Sequence, residues 1–230
     1  MARAQRLGRW GREFKSRRSD QIRMRKKVLL ISISFFFFAV FVAFSYLVKT
    51  KILNQIDFNM TVRLQNHIPV KYDGFLSSLS LIGSFEILAG IIFLIAILRK
   101  KFVSLFIFIP FAMAHVIETI GKALFYHPGP PYLFFRYNID FLFPSSYIQP
   151  GSSYPSGHSL RIVFISFIFF SLIKKSKLKS AIKILLIFFL LVFNVLMLVS
   201  RVSLGEHWTT DVVGGALLGL SSGIFALIFL

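Results

Sequence analysis

What most constrains this chain is a series of long apolar runs separated by short, strongly basic segments. A run of roughly 20 apolar residues crosses the hydrocarbon core as a helix, because backbone polar groups in lipid must be satisfied within the segment or in a closed barrel. Such runs cover Val28 to Val48, Gly74 to Leu98, Phe102 to Tyr126, His158 to Ile173, Ile182 to Val202 and Val212 to Leu230. They are uninterrupted, and each is long enough to be read as a membrane span. The predicted fold class is all-α, an integral membrane bundle of six helices. A mean hydropathy of +0.73 agrees with a bilayer protein and not a soluble core.

The basic residues decide orientation. A net charge of +18 could point to nucleic acid, but the Lys and Arg sit mostly in segments flanking the apolar blocks. That distribution marks the cytoplasmic side of a membrane and argues against a nucleic-acid partner. With clusters 1–27, 99–101 and 174–183 all inside, six spans place both termini in the cytoplasm of a multi-pass protein of the plasma (inner) membrane.

Residues 1–27 hold eleven Lys or Arg, with Leu7, Trp10, Phe14 and Ile22 on one side of a helix. This reads as a basic amphipathic arm lying on an anionic inner leaflet, and a solvated tail is the plainer alternative. The first apolar run is longer than the ~7–15 residue core of a signal peptide, which favours a retained anchor. Domain organisation is then the arm 1–27 and one six-span unit 28–230, with Asn54 to His67 as a short interfacial helix. The chain has no cysteine, so disulfides and thiolate metal sites are excluded.

With orientation fixed by apolar segments alone, the polar motifs fall on one side. Lys122 lies at the outer end of span three and Pro155-Ser156-Gly157-His158 at the outer start of span four. Arg201 ends span five, and His207 with Asp211 opens span six. If a helix begins near Glu206, His207 and Asp211 are four residues apart and share a face. The carboxylate can hold one ring nitrogen and leave the other free to attack. The plainer reading is a helix cap beside an interfacial Trp208.

Two histidines, a lysine, an arginine and a glycine-serine turn at a helix start suit an oxyanion with several negative oxygens. Arg201 and Lys122 would neutralise it, and the amides following Ser156 and Gly157 would point donors at it. Phosphoryl transfer needs little beyond such clamping, an in-line nucleophile and a proton for the leaving oxygen. His207 is the candidate nucleophile, Asp211 its orienting acid and His158 the proton donor. The outer carboxylates Asp57, Asp73, Asp140, Glu206 and Asp211 form no recognisable ligand cluster, which argues for a site without metal.

Lys122, the Pro155-to-His158 tetrad and Ser200-Arg201-x5-His207-x3-Asp211 resemble the three signature motifs of the type 2 phosphatidic acid phosphatase superfamily. The resemblance implies an integral membrane enzyme that removes phosphate from lipid phosphates or pyrophosphates through a phosphohistidine, with no metal or other cofactor. By position it implies His207, Asp211 and His158 as catalytic residues and Lys122, Ser156, Gly157 and Arg201 as phosphate ligands. Undecaprenyl pyrophosphate, phosphatidic acid and phosphatidylglycerol phosphate are the substrates it brings forward. A lipid phosphotransferase and a non-catalytic lipid-binding protein of the same fold are the alternatives.

One position departs from the pattern. The first motif of the family usually reads lysine, six residues, arginine, proline, and here that arginine position holds Gly129, followed by Pro130. His127, Arg136 and Arg161 are candidate auxiliary cations. Glu118 shares a helical face with His115 and Lys122 and, at membrane depth, is expected to pair with a cation.

Overall fold

The computed structural model describes residues 2–100, 102–136 and 151–230, with side chains from residue 18 onward except 19. The regular structure among them is entirely helical: α1 (Ala2–Lys49), α2 (Asn54–His67), α3 (Asp73–Ile82), α4 (Phe85–Leu98), α5 (Phe108–Leu124), α6 (Gly157–Lys175), α7 (Ser180–Ser203) and α8 (Thr209–Ala226). Among the described residues five helical stretches are long and apolar enough to cross a membrane, and α3 with α4 meets the same test only as a bent pair. The amphipathic face expected of the arm falls largely outside the described side chains, though α1 carries its helix without a break through the basic residues. Tyr137 and Asp140 also lie outside the described residues.

The second apolar run departs from expectation. A single straight span was predicted over Gly74 to Leu98, and the chain instead bends by 50° between Ile82 and Phe85. Ser84 is extended at the start of α4, and the carbonyl of Gly83 leaves the helical ladder to accept the Arg161 Nε at 2.9 Å. A kink needs a substitute partner for each freed carbonyl, and the guanidinium is that partner. A side chain at Gly83 would press on His158 and Met197, so the bend brings bare backbone against the start of α6. In the third run, Phe102–Ile107 is a 3₁₀ segment and α5 proper starts at Phe108. Pro110 lies in the first turn of α5, where a missing N–H costs nothing.

A row of glycines on α8 sets the closest packing. Added Cβ atoms would strike the Tyr154 ring at Gly214, the Ser156 carbonyl at Gly215, the Leu160 carbonyl at Gly219 and the Phe164 backbone at Gly223. Small residues at helical spacing let two backbones approach, which is how helices attract one another where lipid offers no hydrophobic drive. Helix α1 closes over the other side of α8. Ser34 and Ser221 exchange hydroxyl-to-carbonyl bonds of 2.9 Å, and Ser45 Oγ meets the Tyr154 hydroxyl at 2.7 Å.

Both ends of the bundle are tied. At one end Arg99 donates to the Leu230 carbonyl at 2.6 Å, next to the basic segments that close α4 and α6. The other end holds the last turns of α5 and α7, the first turns of α6 and α8, and α2. The polar motifs are at that second end.

Candidate active site

The His207 to Asp211 pair is built from a loop and a helix start, not from one helical face. Helix α8 begins at Thr209, so His207 precedes it. Asp211, in the first turn, accepts the backbone N–H of Trp208 at 2.9 Å and caps the helix, as the plainer sequence reading has it. The same oxygen, Oδ2, also accepts the Ser153 hydroxyl at 2.6 Å. Ser153 Oγ in turn lies 2.8 Å from His207 Nδ1, while the direct His207 Nδ1 to Asp211 Oδ2 separation is 3.5 Å. Because Ser153 donates to the carboxylate, it accepts from His207, and the ring is held as the Nδ1–H tautomer. Nε2 keeps its lone pair and carries no hydrogen bond among the described residues.

Burial pushes the His207 imidazole below its ordinary range of protonation. The Asp211 carboxylate opposes this, and the positive charges of Arg201 and Lys122 add to it. A neutral imidazole with an exposed lone pair between two cations is a nucleophile for an anion.

Arg201 is fixed by a turn that sequence spacing only hints at. The backbone amides of Glu206 and His207 both donate to its carbonyl at 3.1 Å, which folds the segment back beneath the guanidinium. Gly205 makes the fold-back possible with φ of +74°, and a Cβ there would collide with the Phe134 carbonyl. The guanidinium, 2 % exposed, bonds to Ser80 Oγ and to the Glu206 carboxylate. Neither Ser80 nor Glu206 was singled out as an Arg201 partner. Ser80 lies far away in sequence, and Glu206 read only as one of the outer carboxylates.

The first turn of α6 is anchored to that of α8 by a bond of 2.9 Å from the Ser156 N–H to the Asp211 carbonyl. Ser156 also caps α6, accepting from the Ser159 N–H at 3.5 Å. The amides of Gly157 and His158 therefore open the helix with no intrahelical partner, the usual donors of an anion site. Glu118 crosses to this turn from α5. It accepts from Lys122 Nζ at 2.7 Å and contacts His115 Nδ1 at 2.8 Å, the cation pairing expected at membrane depth. Its carboxylate and the Arg161 guanidinium both press on the Cα of Gly157, where a Cβ would strike them. Glycine at 157 is thus required by Glu118, and Arg161 sits at the floor of the turn while its Nε holds the α3–α4 bend.

The loop after α5 spends its candidate cations differently. Arg136 is bound to Asp73 Oδ2 at 3.0 Å and to the carbonyls of Gln65 and Ile68, so it ties the loop to α2 and α3. His127 is buried behind Asp211, with Nε2 3.3 Å from Asp211 Oδ1. Gly129, where an arginine was expected, lies 3.5 Å from the Ser153 Cβ in terms of the side chain it lacks. A cavity of about 220 Å³ opens between Asn54, Asp57, His127, Gly129 and Trp208. Ser153 is the residue that sequence reading missed outright. It stands just ahead of the tetrad with no spacing signal of its own, and only the loop fold carries it between ring and carboxylate.

A neutral histidine, two guanidiniums and an ammonium lie at one lip of a helical membrane bundle, an arrangement suited to a phosphate ester. A sequence profile of the PAP2 superfamily matches residues 103–230, and the chain belongs to that superfamily. It is accordingly a phosphoric ester hydrolase acting on membrane lipids. Its fold is similar to that of a transmembrane PAP2 type phosphatidylglycerolphosphate phosphatase from Bacillus subtilis, with a TM-score of 0.67 and 22 % identity. That match covers 85 % of this chain and 93 % of the other. LpxE of Aquifex aeolicus is similar at a TM-score of 0.55 and 24 % identity, over 74 % of this chain and 93 % of that one. At these identities the likeness is one of fold. No curated protein sequence matches the chain.

Proposed function

We propose that this protein hydrolyses a lipid phosphate or pyrophosphate through a phosphohistidine on His207, without metal, on the extracytoplasmic face of the plasma membrane. The observation that carries the reading is the Ser153 bridge, which fixes His207 as the Nδ1–H tautomer and presents Nε2 for attack. In the first step Nε2 bonds to phosphorus, the ester P–O bond breaks, and His158 gives its proton to the departing lipid oxygen. In the second, His158 takes a proton from water, the hydroxide attacks phosphorus and the P–N bond breaks. Inorganic phosphate and free His207 result.

Lys122, Arg201 and the first amides of α6 neutralise the developing charge, with Ser156 and Gly157 shaping that turn. Metal-free chemistry is supported by the use already made of the carboxylates. Asp57 bonds to Thr210, Asp73 to Arg136, Glu118 to Lys122, Glu206 to Arg201 and Asp211 to Ser153. Sidedness is supported by the basic segments at the far end of the bundle, next to the Arg99 to Leu230 tie.

The test is phosphate release by protein purified in detergent, assayed on phosphatidic acid, phosphatidylglycerol phosphate and undecaprenyl pyrophosphate with EDTA present. Activity that survives chelation, is inhibited by vanadate and falls by about 10³-fold or more in His207→Ala is expected, on the scale of nucleophile removal. Metal-dependent release, or release unchanged in the variant, contradicts it. Because the chain has no cysteine, Tyr132→Cys at the exposed loop reports sidedness. An impermeant maleimide labels it in intact cells if the site faces outward, and fails to label if it faces the cytoplasm.

A further inference from the structure

The loop that lacks the expected phosphate-binding arginine sends a different side chain to a different place. His127 Nε2 faces Asp211 Oδ1 at 3.3 Å, Thr210 Oγ1 at 3.4 Å and Asp57 Oδ2 at 4.0 Å. Asp57 comes from α2 and is itself held by the Thr210 N–H at 2.8 Å and the Thr210 hydroxyl at 2.7 Å. The ring is seated by the loop backbone: the His127 carbonyl accepts the Ser153 N–H at 2.8 Å, and Tyr154 packs edge-on against the imidazole. One stretch, 152–154, therefore supports His127 from behind and Ser153 in front.

The two oxygens of Asp211 are used unequally. Oδ2 takes the Ser153 hydroxyl and the Trp208 N–H, whereas Oδ1 takes no well-aligned hydrogen bond among the described residues. His127 Nε2 is the side-chain nitrogen that lies within ion-pair distance of Oδ1, at 3.3 Å. Asp211 is fully buried, and a buried carboxylate oxygen with no donor is costly. We propose that His127 is a positioning residue for the nucleophile: its ring, whose Nε2–H the Thr210 hydroxyl accepts, packs Nε2 3.3 Å from Asp211 Oδ1 and blocks the carboxylate from turning, so that Oδ2 stays toward Ser153 and His207. The first-motif loop would then serve the back of the catalytic pair in place of contacting phosphate.

The charge environment sharpens the point. Around Asp211 stand Asp57 from α2, His127 and Tyr154 from the loops, and His207 beside it, with Lys122 and Arg201 acting on His207 from α5 and α7. Burial already pushes the Asp57 carboxyl up, the Thr210 bonds opposing, and Asp211 adds to the upward push. Without the imidazole, two buried carboxylates face one another and one holds a proton more readily. An Asp211 carboxylate turned away from Ser153 no longer fixes the His207 tautomer.

This inference rests on the phosphohistidine reading, so its test has an arm that needs no turnover. In full-length protein labelled with ¹⁵N-histidine, the five histidines give few signals, and the ring-nitrogen shifts report tautomers directly. His207 is expected as the Nδ1–H form in the native chain and as a tautomer mixture in His127→Ala. A native-like tautomer in that variant overturns the clamp, whether or not the enzyme is active.

In the activity arm, His127→Ala lowers kcat about 10- to 100-fold, the scale of one contact to a buried charged group, while KM and vanadate inhibition stay near native. His127→Gln, which keeps an N–H, recovers most of kcat. Adding Asp57→Asn to His127→Ala recovers part of it by removing the facing charge. A loss carried by KM, or no rescue by either change in protein that still melts cooperatively, overturns the proposal. An inactive native enzyme would sink the phosphatase reading and leave the tautomer result standing.

Discussion

Helices α7 and α8 are both apolar spans and both deliver residues to the site, yet they sit in opposite environments. The most apolar window of α7 has a mean hydropathy of 2.9 and is only 6 % buried, whereas that of α8, at 2.1, is half buried. Ile184, Phe188, Phe189, Leu191 and Val195 of α7 face outward, and the protein grips this helix mainly through its final turn, at Ser200, Arg201, Val202 and Ser203. Helix α8 is gripped along its length through glycine contacts with the α6 backbone. Hydropathy therefore marks a span and says little about how it packs. In lipid the packing signal is the small residue.

The largest effect that tests this contrast is expected from Gly219→Leu. Its side chain would meet the Leu160 carbonyl, and overpacking between backbones that cannot retreat costs about 3 kcal/mol or more. Because Gly219 lies far from the chemistry but on the strip that joins the first turns of α6 and α8, stability and activity fall together. Thermal unfolding in detergent and phosphate release measure the two. Leu191→Ala in α7 is the control, with changes within about 0.5 kcal/mol, and equal damage from both substitutions breaks the comparison.

Nearer the reaction, Ser153→Ala removes the bridge between ring and carboxylate. It is expected to lower kcat about tenfold, the worth of one hydrogen bond to a charged group. The direct His207 to Asp211 gap of 3.5 Å is short enough to close and limit the loss. On the proposed mechanism His207 must be unprotonated to attack, and burial holds its protonation below the ordinary 6.5. Activity should therefore persist as pH falls through 6.5 and decline only below it, as a pH profile of kcat/KM would show. A decline that begins above 6.5 contradicts the assignment of His207 as a buried nucleophile beside two cations.

The smallest effect concerns Gly129. Its position accepts a Cβ at ordinary contact distance from Ser153, so Gly129→Arg tests whether a guanidinium on this loop aids phosphate binding. KM is expected to fall about threefold, the scale of a partly solvated ion pair. An unchanged KM shows that Lys122, Arg161 and Arg201 already meet the charge demand of the substrate.

The helical membrane class, the positions of most spans, the short helix α2 and the Glu118 pairing with Lys122 were all legible in the sequence. Each depends on local terms: run length, charge placement and i, i+4 spacing. The break at Gly83 was not legible, because the run stays apolar across it and its cause is an arginine 78 residues away. The same holds for the cations of the loop after α5. Sequence could name His127, Arg136 and Arg161 as charges, but not say that one ties α2 to α3, one backs Asp211 and one holds the bend.

The sequence by itself determined the bilayer as solvent, the helices as the permitted structure and the residues able to carry phosphoryl chemistry. Those follow from composition along a line. Only the tertiary structure decided that Ser153 stands between His207 and Asp211, and that His127 stands behind. Both depend on a loop laid across two helix starts, and the proximity of residues 54 or more positions apart is set by backbone packing and not by any spacing in the chain.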